Sequence, residues 1–239
     1  MDSYTATGVT LGAHKFGDTG RVVIFFTRER GKVEASARGI GKPGSKLAAA
    51  VEPFTVSRLQ LLAGRDLDKL TQAEVIEAFL PLRGDLTRYA YAAALLELTE
   101  VTTEPGQAVP GLFEALVAGL AALAAGDDPE RLFGAFALRL LASEGSAPVT
   151  DACLQCGGPL TPRMHYRPAE GGFVCHTCAP HPEGPGVVSG ATVGALHALI
   201  TLPLERLPRL ALTPQTRREV ARIVRLHLDI PDRPGVLAD

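Results

Sequence analysis

Arg21-Val-Val-Ile-Phe-Phe-Thr27, Arg28-Glu-Arg-Gly31 and Lys32-Val-Glu-Ala-Ser-Ala-Arg-Gly39 read in succession as strand, turn and strand. Val22 to Phe26 is apolar at every position, so both of its faces need cover and a central strand is expected. Arg28 to Gly31 carries turn chemistry, as does Gly17-Asp-Thr-Gly20 on the other side of the run. Gly8 to His14 supplies another run rich in β-branched and apolar residues, and Thr55 to Leu61 one of less regular alternation. Leu70 to Phe79 fits a strand or a helix by periodicity alone. Five strands, with a Gly/Pro/Lys/Ser connection at Gly39 to Lys46, suit a small closed barrel. Residues 1–80 are thus expected to form a five-stranded OB-fold β-barrel.

Beyond Pro81 the character changes. Leu82 to Thr103 carries Leu86, Tyr89, Ala93, Leu96 and Val101 at helical spacing, with Asp85 near the start. Pro110-Gly111 opens a second helix that Gly126 stops near Ala125, and Asp127 or Asp128 with Pro129 caps a third running to Glu144. The third is apolar over a wide arc (Leu132, Phe133, Phe136, Leu140, Leu141), which suits a helix sandwiched in a core. Short connections suggest that these three helices form a bundle. Glu97, Glu100 and Glu104 read as a solvated face. Later, Ser189 to Ile200 reads as a short helix, Pro203 to Leu210 as a connector, and Thr213-Pro214 as the cap and first residue of a last helix reaching about Leu228. That helix carries Arg217, Arg218, Arg222 and Arg225, a basic face open to nucleic acid, an acidic peptide or plain solvent. The tail from Asp229 reads as frayed.

Between the third helix and Ser189 lie all four cysteines, as Cys153-Leu-Gln-Cys156 and, after 18 residues, Cys175-His-Thr-Cys178. A C-x₂-C knuckle offers two thiolates at the separation Zn²⁺ requires, and two knuckles close a Cys₄ shell with the spacing of a zinc ribbon. Gly157-Gly158 permits a tight turn, and the insert, Thr161 to Phe173 within it, is long enough for a small hairpin. The chain shows no signal-peptide pattern and is long enough to fold without staples, so disulfides are not expected, and two facing pairs do not fit a thioredoxin-like motif. Four thiolates leave no open coordination position, which marks the site as structural, with one Zn²⁺ per chain. His165, His176 and His181 read as bystanders. The organisation expected is α+β and multidomain: a barrel at 1–80, a helical domain at 81–149 and 187–239, and an inserted Cys₄ zinc module at 150–186.

The 239 residues are 46% hydrophobic with a net charge of −2, which suits a globular chain, and no apolar run approaches a membrane span. A cytoplasmic location is expected. The small net charge hides a segregation. Lys15, Arg21, Arg28, Arg30, Lys32, Arg38, Lys42 and Lys46 face only three acids between residues 15 and 46, a net of +5. Residues 82–151 hold four arginines against ten acids, a net of −6. Such asymmetry suggests an anion-binding N-terminal module on an acidic body. Single-stranded nucleic acid also wants flat side chains, for which Tyr4, Phe16, Phe25, Phe26 and Phe54 are the candidates. No G-x-S-x-G, H-E-x-x-H or G-x-x-x-x-G-K-[ST] pattern occurs, and no catalytic constellation is visible. A non-enzymatic binding protein is expected.

Several segments also resemble a known family. Gly20-Arg-Val-Val-Ile-Phe-Phe-Thr-Arg-Glu-Arg-Gly-Lys-Val33, Ala37-Arg-Gly39, Ser45-Lys-Leu47, Glu52-Pro-Phe54 and Leu70-Thr-Gln-Ala-Glu74 are similar, in this order, to the RecO family of bacterial DNA repair and recombination mediators. Asp85-Leu-Thr-Arg-Tyr-Ala-Tyr91, Leu95-Leu-Glu-Leu98, Phe136-Ala-Leu-Arg-Leu-Leu141 and Cys153-Leu-Gln-Cys-Gly157 extend the resemblance, which covers roughly residues 8–180. It implies a protein that binds single- and double-stranded DNA, anneals complementary strands and, with RecR, helps load RecA onto DNA coated by single-stranded DNA-binding protein. It further implies contact with that protein's acidic C-terminal tail, for which Arg139 or the last helix's arginines are candidates, and association with the nucleoid. The DNA role falls on the Lys15 to Lys46 stretch. The alternative is a zinc-ribbon and OB scaffold that docks protein or RNA.

Overall fold

The structure is a computed structural model that describes residues 2–16, 20–40, 45, 47–179 and 186–228. Two compact units divide after Pro129.

The first unit holds β1 (Ser3–Phe16), β2 (Gly20–Thr27), β3 (Gly31–Arg38), β4 (Val56–Leu62), β5 (Asp68–Glu77), α1 (Leu86–Thr102) and α2 (Leu112–Ala125). The strands run β1-β2-β3-β5-β4 and close into a barrel, because β1 pairs with both β2 and β4. A register shift between Thr10 and Gly12 bends β1 so that it serves two neighbours. Only Ala35 and Ser36 join β3 to Asp68 and Lys69 of β5, in parallel. The Leu70 to Phe79 run is therefore a strand as far as Glu77, held mainly by seven antiparallel pairs to β4, and Phe79 already turns into the next element at φ +39°. Its helix-compatible period loses to backbone pairing, which only the distant β4 can supply.

Val23, Phe25, Val33, Ala35, Leu59, Leu61 and Leu70 fill the barrel. Phe25 and Phe26 are both buried, as the doubly apolar run of β2 requires. Gly31 opens β3 at φ +64°, and a Cβ there would sit 1.9 Å from the Gln107 carbonyl oxygen, so only glycine fits.

Asp85 caps α1 by accepting from the Arg88 N–H at 3.0 Å. The buried face of α1 is Ala92, Leu95, Leu96 and Thr99, whereas Leu86 and Val101 are exposed. The stripe expected from the sequence is thus rotated, because a small alanine and a threonine whose hydroxyl donates back to the Leu95 carbonyl (2.8 Å) can be buried as readily as leucine. α2 lies between Gly111 (φ +76°) and Gly126 (φ +98°), and its Gly119 lets the Leu95 side chain approach closely.

The second unit holds α3 (Pro129–Ser143), β6 (Arg163–Arg167), β7 (Gly172–Cys175), β8 (Val187–Ser189), α4 (Gly190–Thr201) and α5 (Pro214–His227). α3 buries Leu132, Ala135, Phe136, Leu138 and Leu140 over the wide arc expected. α1 and α2 are grouped with the strands, and α3 with the elements after it. Ser189 and Thr213 cap α4 and α5 through their hydroxyls.

Glu219 of α5 reaches the start of α4. Its carboxylate accepts from the Ser189 N–H at 3.1 Å and the Thr192 hydroxyl, and Gln215 donates to it at 2.9 Å. The end of α5 is tied by His227. Its Nε2–H donates to the Ser146 carbonyl at 2.5 Å, leaving Nδ1 to accept from the Tyr166 hydroxyl at 2.6 Å. Burial pushes the Tyr166 phenol up to about 12, so it stays a donor. Among the described residues no helix is long and apolar enough to cross a membrane.

Candidate functional site

The sulfur atoms of Cys153, Cys156, Cys175 and Cys178 lie within 4.8 Å of one another. Each pair is set by a tight turn. Gly157 N–H donates to the Cys153 carbonyl at 2.9 Å with Gly157 at φ +66°, and Cys178 N–H donates to the Cys175 carbonyl at 3.0 Å. The hairpin of β6 and β7 closes the gap between the pairs, with Met164 opposite Cys175. β8 joins β6 on its other edge.

All four cysteines are free thiols, and the Cys156 and Cys175 sulfurs stand 4.0 Å apart, about twice a disulfide bond. A tetrahedral shell with Zn–S of about 2.3 Å has sulfurs about 3.8 Å apart, so the group has the dimensions of such a shell.

The protonation chemistry agrees. Burial raises the Cys153 thiol, but hydrogen bonds offered around Cys156, Cys175 and Gln155 outweigh it and bring Cys153 down to about 6. Cys178 is pushed up to about 12, first by its hydrogen bond with Cys175, then by burial and by Cys156 and Cys153. One thiolate therefore forms readily while Cys178 keeps its proton. A divalent cation removes that conflict by replacing the protons. His165 and His176 stack on each other, with centroids 5.8 Å apart, and neither belongs to the sulfur group. His181 lies outside the described residues.

The basic stretch is divided by the barrel. Lys15 pairs with Arg21 across β1 and β2, and Arg38 pairs with Gly20 across β3 and β2. All three are exposed at one end of the strands, where Arg38 shares a face with Phe16, which is 47% exposed, and Lys15 and Arg21 share the other. Arg28, Arg30 and Lys32 lie at the other end of β2, roughly 24 Å away for eight residues of strand.

That second group is engaged within its own unit. Arg28 pairs with Glu114 at 2.8 Å and covers the Phe113 ring, and Lys32 donates to the Glu100 carbonyl at 2.7 Å. The Arg30 guanidinium lies 3.7 Å over the Tyr4 ring. Of the aromatic candidates, Phe25, Phe26 and Phe54 are buried and Tyr4 lies under Arg30, which leaves Phe16. Lys42 and Lys46 lie outside the described residues.

Gly39-Ile-Gly-Lys-Pro-Gly44 has dinucleotide-loop spacing. However, the next helical element is a single 3₁₀ turn, Ala49–Val51, rather than the helix such a loop opens. Arg139 donates to the carbonyls of Leu199, at 3.0 Å, and Leu202, finishing α4. Arg217 pairs with Glu130 at 3.4 Å and Arg222 donates to the Val187 carbonyl at 3.2 Å, so part of the arginine face of α5 serves the unit's own packing.

A family model described as Recombination protein O N terminal matches residues 1–79, and one described as Recombination protein O C terminal matches residues 83–230. The chain belongs to the RecO family. The proteins named DNA repair protein RecO of Pelotomaculum thermopropionicum and Symbiobacterium thermophilum are 36% and 33% identical to it. The alignments cover 95% of this chain in both cases and 89% and 92% of the relatives. The RecO of Desulforudis audaxviator is 35% identical over 94% of the chain and 90% of its own length. The two RecO matches meet in the 3₁₀ turn Leu80–Gly84, between β5 and α1, where Pro81 ends the strand-forming part.

Proposed function

We propose that this chain acts in DNA repair as a recombination mediator without turnover of its own. It binds single- and double-stranded DNA, brings complementary strands together and, with RecR, helps RecA load onto DNA coated by single-stranded DNA-binding protein. The last of these carries its acidic tail to the helical part. Membership of the RecO family supports the repair role, and relatives bearing the name DNA repair protein agree with it. In this reading the barrel is an OB-fold and residues 1–80 are the DNA-binding part. Residues 150–186 are a ribbon held by one structural Zn²⁺ on Cys153, Cys156, Cys175 and Cys178, and 81–149 with 187–239 are the helical part. The setting is the nucleoid of a bacterial cytoplasm.

The observation that carries the DNA reading is the barrel end where Lys15 and Arg21 pair on one face of the strands and Arg38 and the exposed Phe16 flank Gly20 on the other. Cations track phosphates, and an exposed ring gives a base a face to stack on. Shielding both strands' phosphates at once lowers their repulsion, which is the physical basis of annealing. Lys42 and Lys46 belong to the same stretch of sequence. Arg28, Arg30 and Lys32 have partners of their own and add to the field from the far end.

Fluorescence anisotropy with labelled single- and double-stranded DNA across a salt series tests this. The variant K15Q/R21Q/R38Q should bind at least about tenfold more weakly and show a shallower salt dependence, by roughly 0.7–0.9 per lost phosphate contact. No binding by the folded, metal-loaded wild type at low salt would reject the reading and favour a scaffold that docks protein or RNA.

A further inference from the structure

Arg163, His165 and Arg167 alternate along β6 and so share one face of its sheet. Cross-strand partners share a face as well. Their neighbours are therefore Val174 and Gly172 on β7 and Ser189 and Val187 on β8, none of them acidic. Met164 and Cys175 form a pair on the opposite face, so the Cys175 sulfur lies across the sheet from the basic residues. His176 follows Cys175 and returns to the basic side, where its exposed ring stacks on His165.

His165 is only 7% exposed, and its Nε2 has no hydrogen-bond partner. Arg163 is exposed and Arg167 half-buried, and among the described residues neither guanidinium has an acidic partner. The nearest acid in sequence, Glu170, stands in the 3₁₀ turn at the hairpin's tip. The crowding is felt by His165, which is held below the ordinary histidine range first by burial and then by His176, Arg163 and Arg167.

Two guanidiniums without an acidic partner among the described residues, on the face where the His165 and His176 rings stack, concentrate positive charge there. We propose that this face of the hairpin between the cysteine pairs is a second phosphate-binding surface, which takes the DNA backbone apart from the barrel rim. It rests on the reading of the chain as a DNA-binding protein. Arg163 and Arg167 stand about 13 Å apart along the strand, the rise of about four nucleotides of one duplex strand. Guanidinium forks match phosphate oxygens two at a time, so both arginines can engage the backbone without reading bases.

The test uses the full metal-loaded chain and the same labelled DNAs. It compares wild type, R163Q/R167Q, the charge-keeping R163K/R167K, and R206Q/R209Q, which removes two exposed arginines elsewhere in the second unit. R163Q/R167Q should bind about 3- to 10-fold more weakly at 0.1 M salt, with a salt slope shallower by roughly 1.4–1.8, while the lysine variant keeps most of both. Because Arg163 is exposed, R163Q alone repeats the test with about half the slope change and little risk to the fold. An equal loss in R206Q/R209Q, or no change in R163Q/R167Q while wild type binds, overturns this surface and leaves the barrel reading standing. Absence of binding by wild type overturns both.

Discussion

Gly31 and Glu219 each serve a part of the chain that is distant in sequence. At Gly31 the positive φ and the Gln107 carbonyl 1.9 Å from a would-be Cβ act together. Gly31→Ala should lower the denaturant midpoint by the equivalent of at least about 2 kcal/mol, with the slope unchanged. A smaller loss would mean that the Gln107 segment yields. For Glu219, burial raises the carboxyl's proton affinity, but hydrogen bonds from Thr192, Gln215 and Ser189 outweigh it and hold the group below the ordinary range. A carboxylate with a lowered folded pKa contributes stability above its unfolded value, about 4.3, and loses it as pH falls through the folded one. Glu219→Gln should therefore melt earlier than wild type at pH 7, by the equivalent of about 1–2 kcal/mol, and the difference should shrink toward pH 3. A constant difference would show that the charge is irrelevant. Asp85 and Thr213 were readable as caps because a cap bonds within three residues of itself. The Glu219 cap was not, since it links α5 to α4 across 30 residues.

At the scale of elements, the β6–β7 hairpin has strands of five and four residues, too short to hold a core alone. In the proposed reading a metal on the four cysteines supplies what packing does not. One Zn²⁺ per chain is expected in metal analysis, and Cys175→Ser should lose most of it and release the hairpin to protease. Full metal retention in that variant would refute a four-thiolate site. The spacing of the cysteines made this element legible in advance. β5 was ambiguous, because Leu70 to Glu77 satisfies both periods and only its pairing with β4 decides. The α1 stripe was rotated for a related reason: Ala92 and Thr99 carry weak hydrophobic signals yet are fully buried.

For the whole molecule, the chain divides into two compact units, and the four clustered cysteines lie in the second. A strong chelator should lower the melting transition of the second unit and leave that of the barrel within a few degrees of its original position, seen as two steps in calorimetry. A single transition that shifts as one would show that the units unfold together. The net charge of −2 also conceals opposite local fields, so DNA affinity should follow the charge of the rim and not the total.

What the amino-acid order determined by itself was local. Cysteine spacing, turn glycines, helix caps and the doubly apolar β2 each rest on contacts within a few residues or on burial that any partner satisfies. Tertiary structure alone decided which cations stand together. The chain reverses at Arg28 to Gly31, so Arg21 and Arg28, seven residues apart, end on opposite ends of the barrel. Lys15 and Arg38, 23 apart, come to the same end, that of Phe16. Charge is counted along the chain, but its field adds through space, and only the strand register relates the two.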